Sequence, residues 1–325
     1  MMILISLVGG LVLLVVGGEL LVRGAVQVAA RLGVSPLVIG LTLVGFGTST
    51  PELVTSVQAA LSGSPGIAYG NIVGSNIANI LLILGASALI TPILVTSNAL
   101  KRDSAVMVAV SVLFAAVSAA MPLGVVIGAV FVTGLASYIF LAFRQERARP
   151  ADHGAAYDKS LAAQEADPAL VPAAGPQRPV AVSAGIALAG LGLVVAGGYL
   201  LVGGAVGLAR LVGISETVIG LTIVAVGTSM PELVTSVMAA IRKETDVAFG
   251  NIVGSNIYNI LGIGGMTALI SPTEVPSEIV RFDNLVMIGV SALLVALAYT
   301  GMRISRREGG LLVAAYLGYI ALLWP

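Results

Sequence analysis

The sequence predicts an all-α polytopic membrane protein with ten transmembrane helices, arranged as two inverted five-helix repeats with broken helices at a central site. Three observations lead to this prediction. Of the 325 residues, 58% are hydrophobic and only 10% are charged, whereas soluble domains carry about 25% charged residues. Ten segments are long enough and apolar enough to cross a bilayer. One long segment also occurs twice in the chain.

The composition excludes several classes of protein. Sixteen basic and sixteen acidic residues cancel, so no net positive field would attract nucleic acid. The chain has no Cys and a single His, which excludes a disulfide scaffold, a thiolate nucleophile and metal sites built from Cys or several His. The apolar segments contain no nucleophile–base pair, so we expect a transporter without a cofactor rather than an enzyme.

The spans follow from the rule that about 20 apolar residues cross the hydrocarbon core as a helix. They are predicted at residues 3–22, 36–61, 67–91, 104–121, 123–143, 180–202, 215–241, 247–271, 284–300 and 310–324. Pro122 marks a tight turn between the fourth and the fifth span. The first segment lacks a basic leader and is followed by further spans, so we interpret it as a span rather than a signal peptide.

The basic residues orient the predicted bundle. Cytoplasmic loops of membrane proteins collect Lys and Arg, and alternate loops of this chain hold 14 of its 16 basic residues. Only Arg210 and Arg281 lie in the loops of the other side. With ten spans, this pattern places both termini outside the cytoplasm.

Residues 144–179 form the one long hydrophilic segment. Mixed charge, abundant Ala and Pro, and the lack of a periodic apolar face predict a cytoplasmic linker. It separates a first five-helix repeat, residues 1–143, from a second one, residues 180–325. His153 lies in this linker, where we expect it to be solvated.

The internal repeat is the strongest signal in the sequence. Residues 37–92 align without gaps with residues 217–272, with 36 identities in 56 positions. Because each half holds an odd number of predicted spans, the second copy enters the membrane in the opposite sense. Inverted repeats of this kind are typical of secondary transporters, whose sites lie near the midplane where the repeats meet.

Only two acidic residues, Glu52 and Glu232, lie in the middle of predicted spans, and they occupy matching positions of the repeat. A charge at the centre of a span costs about 2.5–3.5 kcal/mol, and no span offers a Lys or Arg at that depth. We therefore expect the two glutamates to have no basic partner and to bind a cation. The alternative is a protonated, hydrogen-bonded structural pair.

Oxygen-bearing groups accompany both glutamates. Pro51 and Pro231 interrupt their helices and free backbone carbonyls. Thr48 and Thr55 share a helix face with Glu52, and the second repeat has the same pattern. The next helix of each repeat carries a polar stripe with a spacing of four, at Asn71, Ser75, Asn79, Asn251, Ser255 and Asn259. An all-oxygen set favours hard cations such as Ca²⁺ and Na⁺, whereas Mg²⁺ retains its water.

At these residues the sequence resembles the calcium/cation antiporter superfamily, and within it the prokaryotic sodium/calcium exchanger group. GTSTPE at 47–52 with GSN at 74–76 matches the first family motif, and GTSMPE at 227–232 with GSN at 254–256 matches the second. The resemblance covers nearly the whole membrane part. It implies an antiporter that exchanges Ca²⁺ for Na⁺ by alternating access in a prokaryotic inner or plasma membrane, with a role in calcium homeostasis.

The resemblance also implies a ligand set. Glu52 and Glu232 would bind Ca²⁺ and share Na⁺. Hydroxyls, backbone carbonyls and amides would complete the sites, at Thr48, Ser49, Ser75, Thr228, Ser229 and Ser255, at the carbonyls of Gly45 and Ala225, and at Asn79 and Asn259. The two ions would compete because both need the same glutamates.

One departure from the family pattern leaves the coupling ion open. Many sodium-coupled members have Asp at one or both of the positions matched by Asn79 and Asn259. With only two carboxylates, three Na⁺ would leave a net positive charge in a low dielectric. Proton-coupled relatives combine two glutamates with asparagines, so an H⁺/Ca²⁺ exchanger is the alternative. A cation channel is a third possibility, but most spans lack the continuous polar path that it needs.

Overall fold

The computed structural model describes residues 2–95, 97–148, 152–171, 179–300 and 302–324. The α-helices are α1 (Met2–Arg31), α2 (Pro36–Ile39), α3 (Gly45–Gly47), α4 (Thr50–Leu61), α5 (Pro65–Ala78), α6 (Gly85–Ile90), α7 (Asn98–Ala120), α8 (Val125–Ala148), α9 (Ala155–Ala166), α10 (Val180–Val212), α11 (Glu216–Ile219), α12 (Ala225–Thr228), α13 (Met230–Ile241), α14 (Thr245–Ile257), α15 (Gly265–Ile270), α16 (Asn284–Thr300) and α17 (Arg306–Leu323). Two short strands, β1 (Ile93–Leu94) and β2 (Arg303–Ile304), pair antiparallel.

Every segment predicted to cross the membrane coincides with helical structure. Within the described ranges, seven helices are long and apolar enough to span a bilayer, and nine are counted when two bent helix pairs are each taken as one span. The tenth predicted span coincides with α17, which has 18 residues and begins with charged side chains. The chain is therefore a helical membrane protein.

The longest helices, α1 and α10, form a close antiparallel pair. Their contact is lined by glycines with a spacing of seven, at Gly10, Gly17, Gly24, Gly190, Gly197 and Gly204. A Cβ atom added at Gly17 would lie 2.7 Å from the backbone nitrogen of Val194, and one at Gly197 would lie 2.7 Å from that of Leu14. Small residues allow helix backbones to approach in this way inside a membrane.

The two bent helix pairs correspond to each other in the repeat. The axes of Pro36–Gly47 and Thr50–Leu61 differ by 51°, and those of Glu216–Thr228 and Met230–Ile241 differ by 49°. Pro51 and Pro231 stand in the first turn after each bend, where the missing proline N–H needs no partner. The predicted breaks are therefore present in both copies.

A second irregularity also recurs in both copies. π-Helical turns occur at Gly40–Val44, Asn79–Leu84, Gly220–Val224, Tyr258–Gly264 and Ile279–Asp283, and the first four form two pairs about 180 residues apart. A π turn interrupts the regular hydrogen-bond ladder and is frequent at functional sites. Its repetition indicates that the local geometry is encoded by the repeated sequence.

The centre of the molecule consists of the helical segments that follow the two bends. Pro65–Ile90 and Thr245–Ile270 are 83% and 89% buried, whereas the other unbroken candidate spans are at most 33% buried. These two segments carry the predicted Asn and Ser stripes. The polar side chains therefore lie in the protein interior rather than against lipid.

The linker between the repeats contains a buried helix. α9 presents seven buried residues, Ala155, Ala156, Asp158, Lys159, Ser160, Ala162 and Ala163, and it packs against α14, α13 and the turn Gly40–Val44. The lack of a periodic apolar face gave no sign of this burial, which is possible because the small side chains of α9 fit a gap between transmembrane elements. Residues 149–151 and 172–178 of the predicted linker lie outside the described ranges.

His153, at the start of α9, is partly packed rather than simply solvated. Its Nδ1 atom lies 2.8 Å from Glu146 Oε2, and 38% of its side chain is exposed. Its ring stacks on Tyr157 at a centroid distance of 4.1 Å. These contacts attach the beginning of α9 to the end of α8.

Candidate cation site

Both mid-span glutamates lie where a helix restarts after a break. Ser49 and Ser229 depart from helical geometry, with ψ angles of 10° and 11°, and α4 and α13 begin at the next residue. Glu52 and Glu232 occupy the first turn of these helices. Unpaired N–H groups and the helix dipole favour a negative charge at that place.

Each carboxylate is held by a serine of the other repeat. Ser49 Oγ donates to Glu232 Oε1 at 2.9 Å, and Ser229 Oγ donates to Glu52 Oε1 at 3.0 Å. Both glutamates are buried, with 1% of their surface exposed. The two breaks therefore face each other and bring both carboxylates into one polar centre.

Two asparagines brace the backbone behind the glutamates. Asn71 Nδ2 donates to the carbonyl oxygen of Glu52 at 3.2 Å. Asn251 Nδ2 donates to that of Glu232 at 3.4 Å and to Thr235 Oγ1 at 2.8 Å. These bonds connect α5 with α4 and α14 with α13, so the two asparagines position the glutamates.

Two predicted ligands, Thr228 and Ser75, are each hydrogen-bonded to a residue of the other repeat. Thr228 Oγ1 donates to Asn71 Oδ1 at 2.9 Å, and Ser75 Oγ lies 3.4 Å from the carbonyl oxygen of Ala225. All four residues are buried. The hydroxyls of this half of the centre are therefore engaged with protein acceptors.

The carbonyls of Gly45 and Ala225 differ in their surroundings. The N–H of Ser229 donates to the Ala225 carbonyl at 3.1 Å, as in a regular helix. The N–H of Ser49 donates instead to the Phe46 carbonyl at 3.1 Å. Ser49 therefore bypasses the carbonyl of Gly45, whereas the Ala225 carbonyl is already engaged.

Asn79 and Asn259 lie in the second π turn of each repeat, and both are buried. Asn79 Nδ2 donates to Asn256 Oδ1 at 2.9 Å, and Asn256 Nδ2 donates to the carbonyl of Asn76 at 3.2 Å. These bonds link amide groups of the two repeats in the buried centre of the molecule.

Several buried oxygens of this centre lack a hydrogen-bond donor among the described residues. They are Glu52 Oε2, Glu232 Oε2, Thr55 Oγ1, Asn76 Oδ1, Asn79 Oδ1, Asn251 Oδ1 and Asn259 Oδ1. A buried acceptor without a partner costs about 1–3 kcal/mol, so such a cluster is unfavourable without a cation. Carboxylate and amide oxygens are the ligands that Ca²⁺ and Na⁺ prefer, and the residues therefore fit these ions.

Neutral oxygens must complete the coordination of any ion bound there. Nowhere in the described ranges do three or more His, Cys, Asp or Glu residues form a group that could hold a metal. The centre combines two carboxylates with hydroxyls and amides instead. This composition suits a transported ion better than a permanently held one, because a lower ligand charge allows release.

A lysine from the linker also enters this centre. Lys159 on α9 is fully buried, and its Nζ atom donates to Ser255 Oγ at 2.6 Å and to Thr48 Oγ1 at 2.7 Å. Ser49 Oγ and Glu232 Oε1 each lie 3.2 Å from the same nitrogen. Four of the twelve predicted cation ligands therefore surround one ammonium group.

The lysine makes the two halves of the centre unequal. Thr228 donates to Asn71, whereas its counterpart Thr48 accepts a hydrogen bond from Lys159. Asn251 Oδ1, the counterpart of the Asn71 acceptor, has no donor in the described part of the chain. The repeated sequence therefore adopts two different hydrogen-bond patterns.

The expectation that neither glutamate has a basic partner is wrong for Glu232. The spans indeed provide no such residue, and the partner comes from the segment interpreted as a linker. An Ala-rich sequence around Lys159 indicates a helix with small side chains, which was the available signal. Its insertion into the bundle depends on a tertiary gap that local sequence does not reveal.

A cavity of about 530 Å³ lies next to the centre. Its walls come from α1, the break before Glu52, α13 and the end of α9, and they include Thr48 and Pro51. Most of the other lining side chains are apolar, such as Val15, Leu170 and Val234. The cavity borders the break on the side that faces α1.

Known transporters are similar to this chain along most of its length. The sequence profile of the family described as sodium/calcium exchanger protein matches residues 2–144 and 182–324, leaving out most of the linker. CaxA from Alkalimonas amylolytica is 39% identical over 318 residues, which cover 97% of this chain and 96% of that protein. The sodium/calcium exchanger MaX1 from Methanosarcina acetivorans is 36% identical over 345 residues, covering 97% and 96%.

A solved structure shares the architecture along the whole chain. It is the sodium-calcium exchanger NCX_Mj soaked with Na⁺ and Sr²⁺, with a TM-score of 0.63 and 31% sequence identity. The similarity covers 100% of this chain and 99% of the other.

Proposed function

The chain belongs to the sodium/calcium exchanger protein family, and from that premise we propose how its residues carry out the exchange. It is a secondary transporter and not an enzyme, and it exchanges Na⁺ for Ca²⁺ across a membrane. The observation that carries the proposal is the facing pair of buried carboxylates, Glu52 and Glu232, each with one oxygen that lacks a donor. Both have to act on the same ion because they lie in one polar centre.

In this proposal Ca²⁺ binds between the two glutamates. Two carboxylates neutralise one divalent ion, and Ca²⁺ takes about 6–8 oxygen ligands. The amide oxygens of Asn79 and Asn259, which have no donor among the described residues, and the bypassed carbonyl of Gly45 would supply neutral ligands. The Ala225 carbonyl joins once the hydrogen bonds that now occupy it are released.

Na⁺ binds in flanking positions that share the same glutamates. The hydroxyl ligands are Thr48, Ser49 and Ser255 in one position and Thr228, Ser229 and Ser75 in the other. Ser49 and Ser229 already contact the glutamates, at 2.9 and 3.0 Å. Na⁺ and Ca²⁺ therefore exclude each other. Without an ion the two carboxylates lie at a cost in a low dielectric, so an empty carrier resists the change of access.

Ten spans arranged as two inverted five-helix repeats form the scaffold of this mechanism. The first repeat covers residues 1–143 and the second 180–325, joined by the cytoplasmic segment 144–179. The bends and π turns that recur about 180 residues apart support equivalent roles for the two halves. The charge pattern of the loops supports an orientation with both termini outside the cytoplasm, in a prokaryotic inner or plasma membrane.

Alternating access follows from a difference between two equivalent pairs of elements, one in direct contact and the other apart. α5 lies directly on the turn Gly220–Val224, where a Cβ atom at Gly70 would be 2.9 Å from the backbone nitrogen of Leu221. The equivalent helix α14 is separated from Gly40–Val44 by α9. Exchanging the closed and the open contact would turn the site toward the other side. The glycine-lined pair of α1 and α10 would slide during that change.

The proposal is tested by Ca²⁺ uptake into proteoliposomes under an imposed gradient of Na⁺ or of pH. We expect uptake that follows the Na⁺ gradient and remains when the pH gradient is abolished. Uptake that ignores Na⁺ and follows the pH gradient would replace Na⁺ by H⁺ as the coupling ion. Passive Ca²⁺ flux without any counter-ion would indicate a channel.

The role of the two carboxylates is tested by the variants Glu52→Gln and Glu232→Gln. Each removes one of the two charges that neutralise Ca²⁺, so we expect Na⁺-driven uptake to fall by at least about a hundredfold while the protein still elutes as a folded species. Glu274→Gln, at an exposed glutamate, is the matched control and should transport normally. Near-normal exchange by either buried variant would remove that carboxylate from the site.

A further inference from the structure

We propose that α9 is a tethered inhibitor of the exchanger, whose Lys159 ammonium occupies the cation site in place of a transported ion. This inference rests on the proposed role of Glu232 and its neighbouring hydroxyls as cation ligands. It adds a regulatory part that lies outside both copies of the repeat.

The surroundings of Lys159 are those of a bound cation. Its nitrogen has four oxygens at 2.6–3.2 Å, from three hydroxyls and one carboxylate. A Lys ammonium has three donors and no acceptor, so it replaces a monovalent ion in such a shell. Lys is strongly hydrated and rarely buried without a partner. The surrounding oxygens offset that loss of hydration.

An aromatic ring completes the enclosure of the ammonium. Lys159 Nζ lies 5.8 Å from the centroid of the Tyr258 ring, a distance at which the ring face attracts a cation. The Tyr258 hydroxyl donates to the Leu41 carbonyl at 2.7 Å, which fixes the ring. The corresponding position of the first repeat is Ala78, and an aromatic side chain is thus present only in the copy that receives the lysine.

The backbone of α9 fits the transmembrane elements as closely as the lysine fits the site. A Cβ atom at Gly40 would lie 2.6 Å from Ser160 Oγ, and one at Gly254 would lie 2.9 Å from the carbonyl oxygen of Ala155. A Cβ atom at Gly250 would overlap Asp158. Interior contacts of this density form only between surfaces of complementary shape, so α9 occupies a shaped cleft.

At the corresponding place in the other half, the described elements leave no gap for a helix. There Gly220 would place a Cβ atom 2.7 Å from the Gly66 carbonyl, and Gly74 would place one 2.5 Å from the Leu221 carbonyl. These elements touch each other directly. α9 therefore fills the gap between α14 and Gly40–Val44, and its Lys159 occupies the site.

Two ion pairs attach the C-terminal end of the inhibitory segment. Arg23 of α1 donates to Asp167 at 2.7 Å, just after α9. Arg242, which follows α13, lies 3.9 Å from Glu165 near the end of α9. Because these contacts join α9 to α1 and to the end of α13, its release has to accompany a change in the bundle or the arrival of a competing ion.

The first experiment compares Na⁺-driven Ca²⁺ uptake by Lys159→Met and Lys159→Glu with the full-length wild type. Met removes the charge at similar length, and Glu places a carboxylate against Glu232 that expels the helix. We expect both variants to reach half-maximal uptake at about a tenfold lower Ca²⁺ concentration, because Ca²⁺ no longer has to displace docked α9 before it binds. Lys101→Met is the matched control and should not differ from the wild type.

Unchanged Ca²⁺ dependence in both variants would overturn the inhibitory role. Loss of exchange in both variants, with normal folding in detergent, would also overturn it, because Lys159 would then be required for transport.

The second experiment reads the docked state without transport. An amine-reactive reagent is applied to the purified wild type, and labelling of Lys159 is compared with that of the exposed Lys243 by mass spectrometry. We expect Lys159 to be protected at least about tenfold and to lose protection as Ca²⁺ or Na⁺ is added. Labelling of Lys159 at the rate of Lys243 would contradict docking. Protection that no added ion relieves would contradict competition for the site.

The two experiments separate this inference from the proposed function. If Lys159 is protected but neither the wild type nor the Lys159 variants exchange Ca²⁺ for Na⁺, the exchange mechanism is refuted while the docking of α9 still stands. Normal exchange with an unprotected Lys159 would refute the inhibitor alone.

Discussion

At the scale of single residues, Lys159 leaves the two glutamates in different conditions. Glu232 shares an oxygen with the ammonium and with Ser49, whereas Glu52 receives a hydrogen bond from Ser229 alone among these contacts. Two carboxylates and one ammonium sum to a single negative charge. In the proposed mechanism an entering cation would therefore meet an available carboxylate on Glu52 before it has to displace the lysine from Glu232.

Two carboxyl groups of α9, those of Glu165 and Asp158, affect how firmly the helix is docked. Glu165 lies against Glu244 and Arg242, and burial together with the neighbouring Glu244 raises the pKa of Glu165 from 4.5 to about 7. Asp158 has its pKa raised well above its ordinary value by burial, and then by Asp246, Glu146 and Asp103. The carboxyl groups of Glu165 and Asp158 therefore stay protonated to a higher pH in docked α9 than they would in released α9.

The sign of the pH effect follows from these shifts. A carboxyl group with a raised pKa in the docked state favours docking at low pH, and it loses that contribution as the pH rises from about 4.5 through about 7. We expect inhibition to be strongest in acid and to be relieved on alkalinisation. The measurement is the ratio of uptake by Lys159→Met to that by the wild type between about pH 5.5 and about pH 8.5.

Using the ratio removes the titration of the transport site, which both proteins share. In Glu165→Gln the ratio should change less with pH, because Gln keeps a hydrogen-bonding group without titrating. A ratio for the wild type that stays constant over this range would contradict a role for these carboxyls.

At the scale of secondary structure, the pair of α1 and α10 offers a test of sliding. A methyl group at Gly197 would lie 2.7–2.8 Å from backbone atoms of α1, whereas one at Gly192 on the same helix meets nothing within 4 Å. Gly197→Ala should therefore lower stability by about 1–3 kcal/mol, as overpacking does, and slow exchange. Thermal unfolding in detergent and Ca²⁺ uptake measure the two effects.

Gly192→Ala is the control in this comparison, since it adds the same methyl group at an open position of the helix. Equal stability and equal transport of the two variants would show that the close contact of α1 and α10 carries no mechanical role.

The elements differ in how far sequence alone could predict them. The helices and their breaks were predictable because apolar length, Pro51 and Pro231 act locally and occur in duplicate. The location of Glu52 and Glu232 in one central site could be predicted for the same reason. The docking of α9 was not, because it depends on a cleft between α14 and Gly40–Val44 that forms only when both repeats are folded.

Some residues of the site could be predicted from the repeated sequence, whereas others are brought there only by the tertiary structure. Asn71 and Asn251 carry a repeated spacing and could be placed beside the glutamates. Lys159 is one lysine in an Ala-rich segment and has no counterpart in the repeat. The hydrophilic composition that predicted a solvated linker therefore also described a helix small enough to enter the protein.

At the scale of the whole molecule, the two sides of the bundle are not equivalent. One side is closed by the direct contact of α5 with Gly220–Val224, and the other holds α9. In the orientation that the basic residues favour, the closed side faces outward and α9 approaches from the cytoplasm. The linker is then on the side where its helix is needed.

This orientation is open to a direct test because the chain has no Cys. Single cysteines at the exposed positions Lys243 and Arg210 should react with a membrane-impermeant maleimide from opposite sides. In intact cells we expect labelling of Arg210→Cys alone, and Lys243→Cys should react only after permeabilisation. Labelling of both from one side would contradict the single crossing assigned to residues 215–241.

The tether of α9 has a consequence for how such an exchanger would respond to its substrate. An inhibitor on the same chain is present at an effective concentration set by its linker, in the millimolar range for short flexible connections, and it does not depend on how much protein the cell makes. Exchange would therefore begin only above a threshold of cytoplasmic Ca²⁺. Lys159 would set that threshold. The Na⁺ gradient would then drive Ca²⁺ transport only when cytoplasmic Ca²⁺ is high.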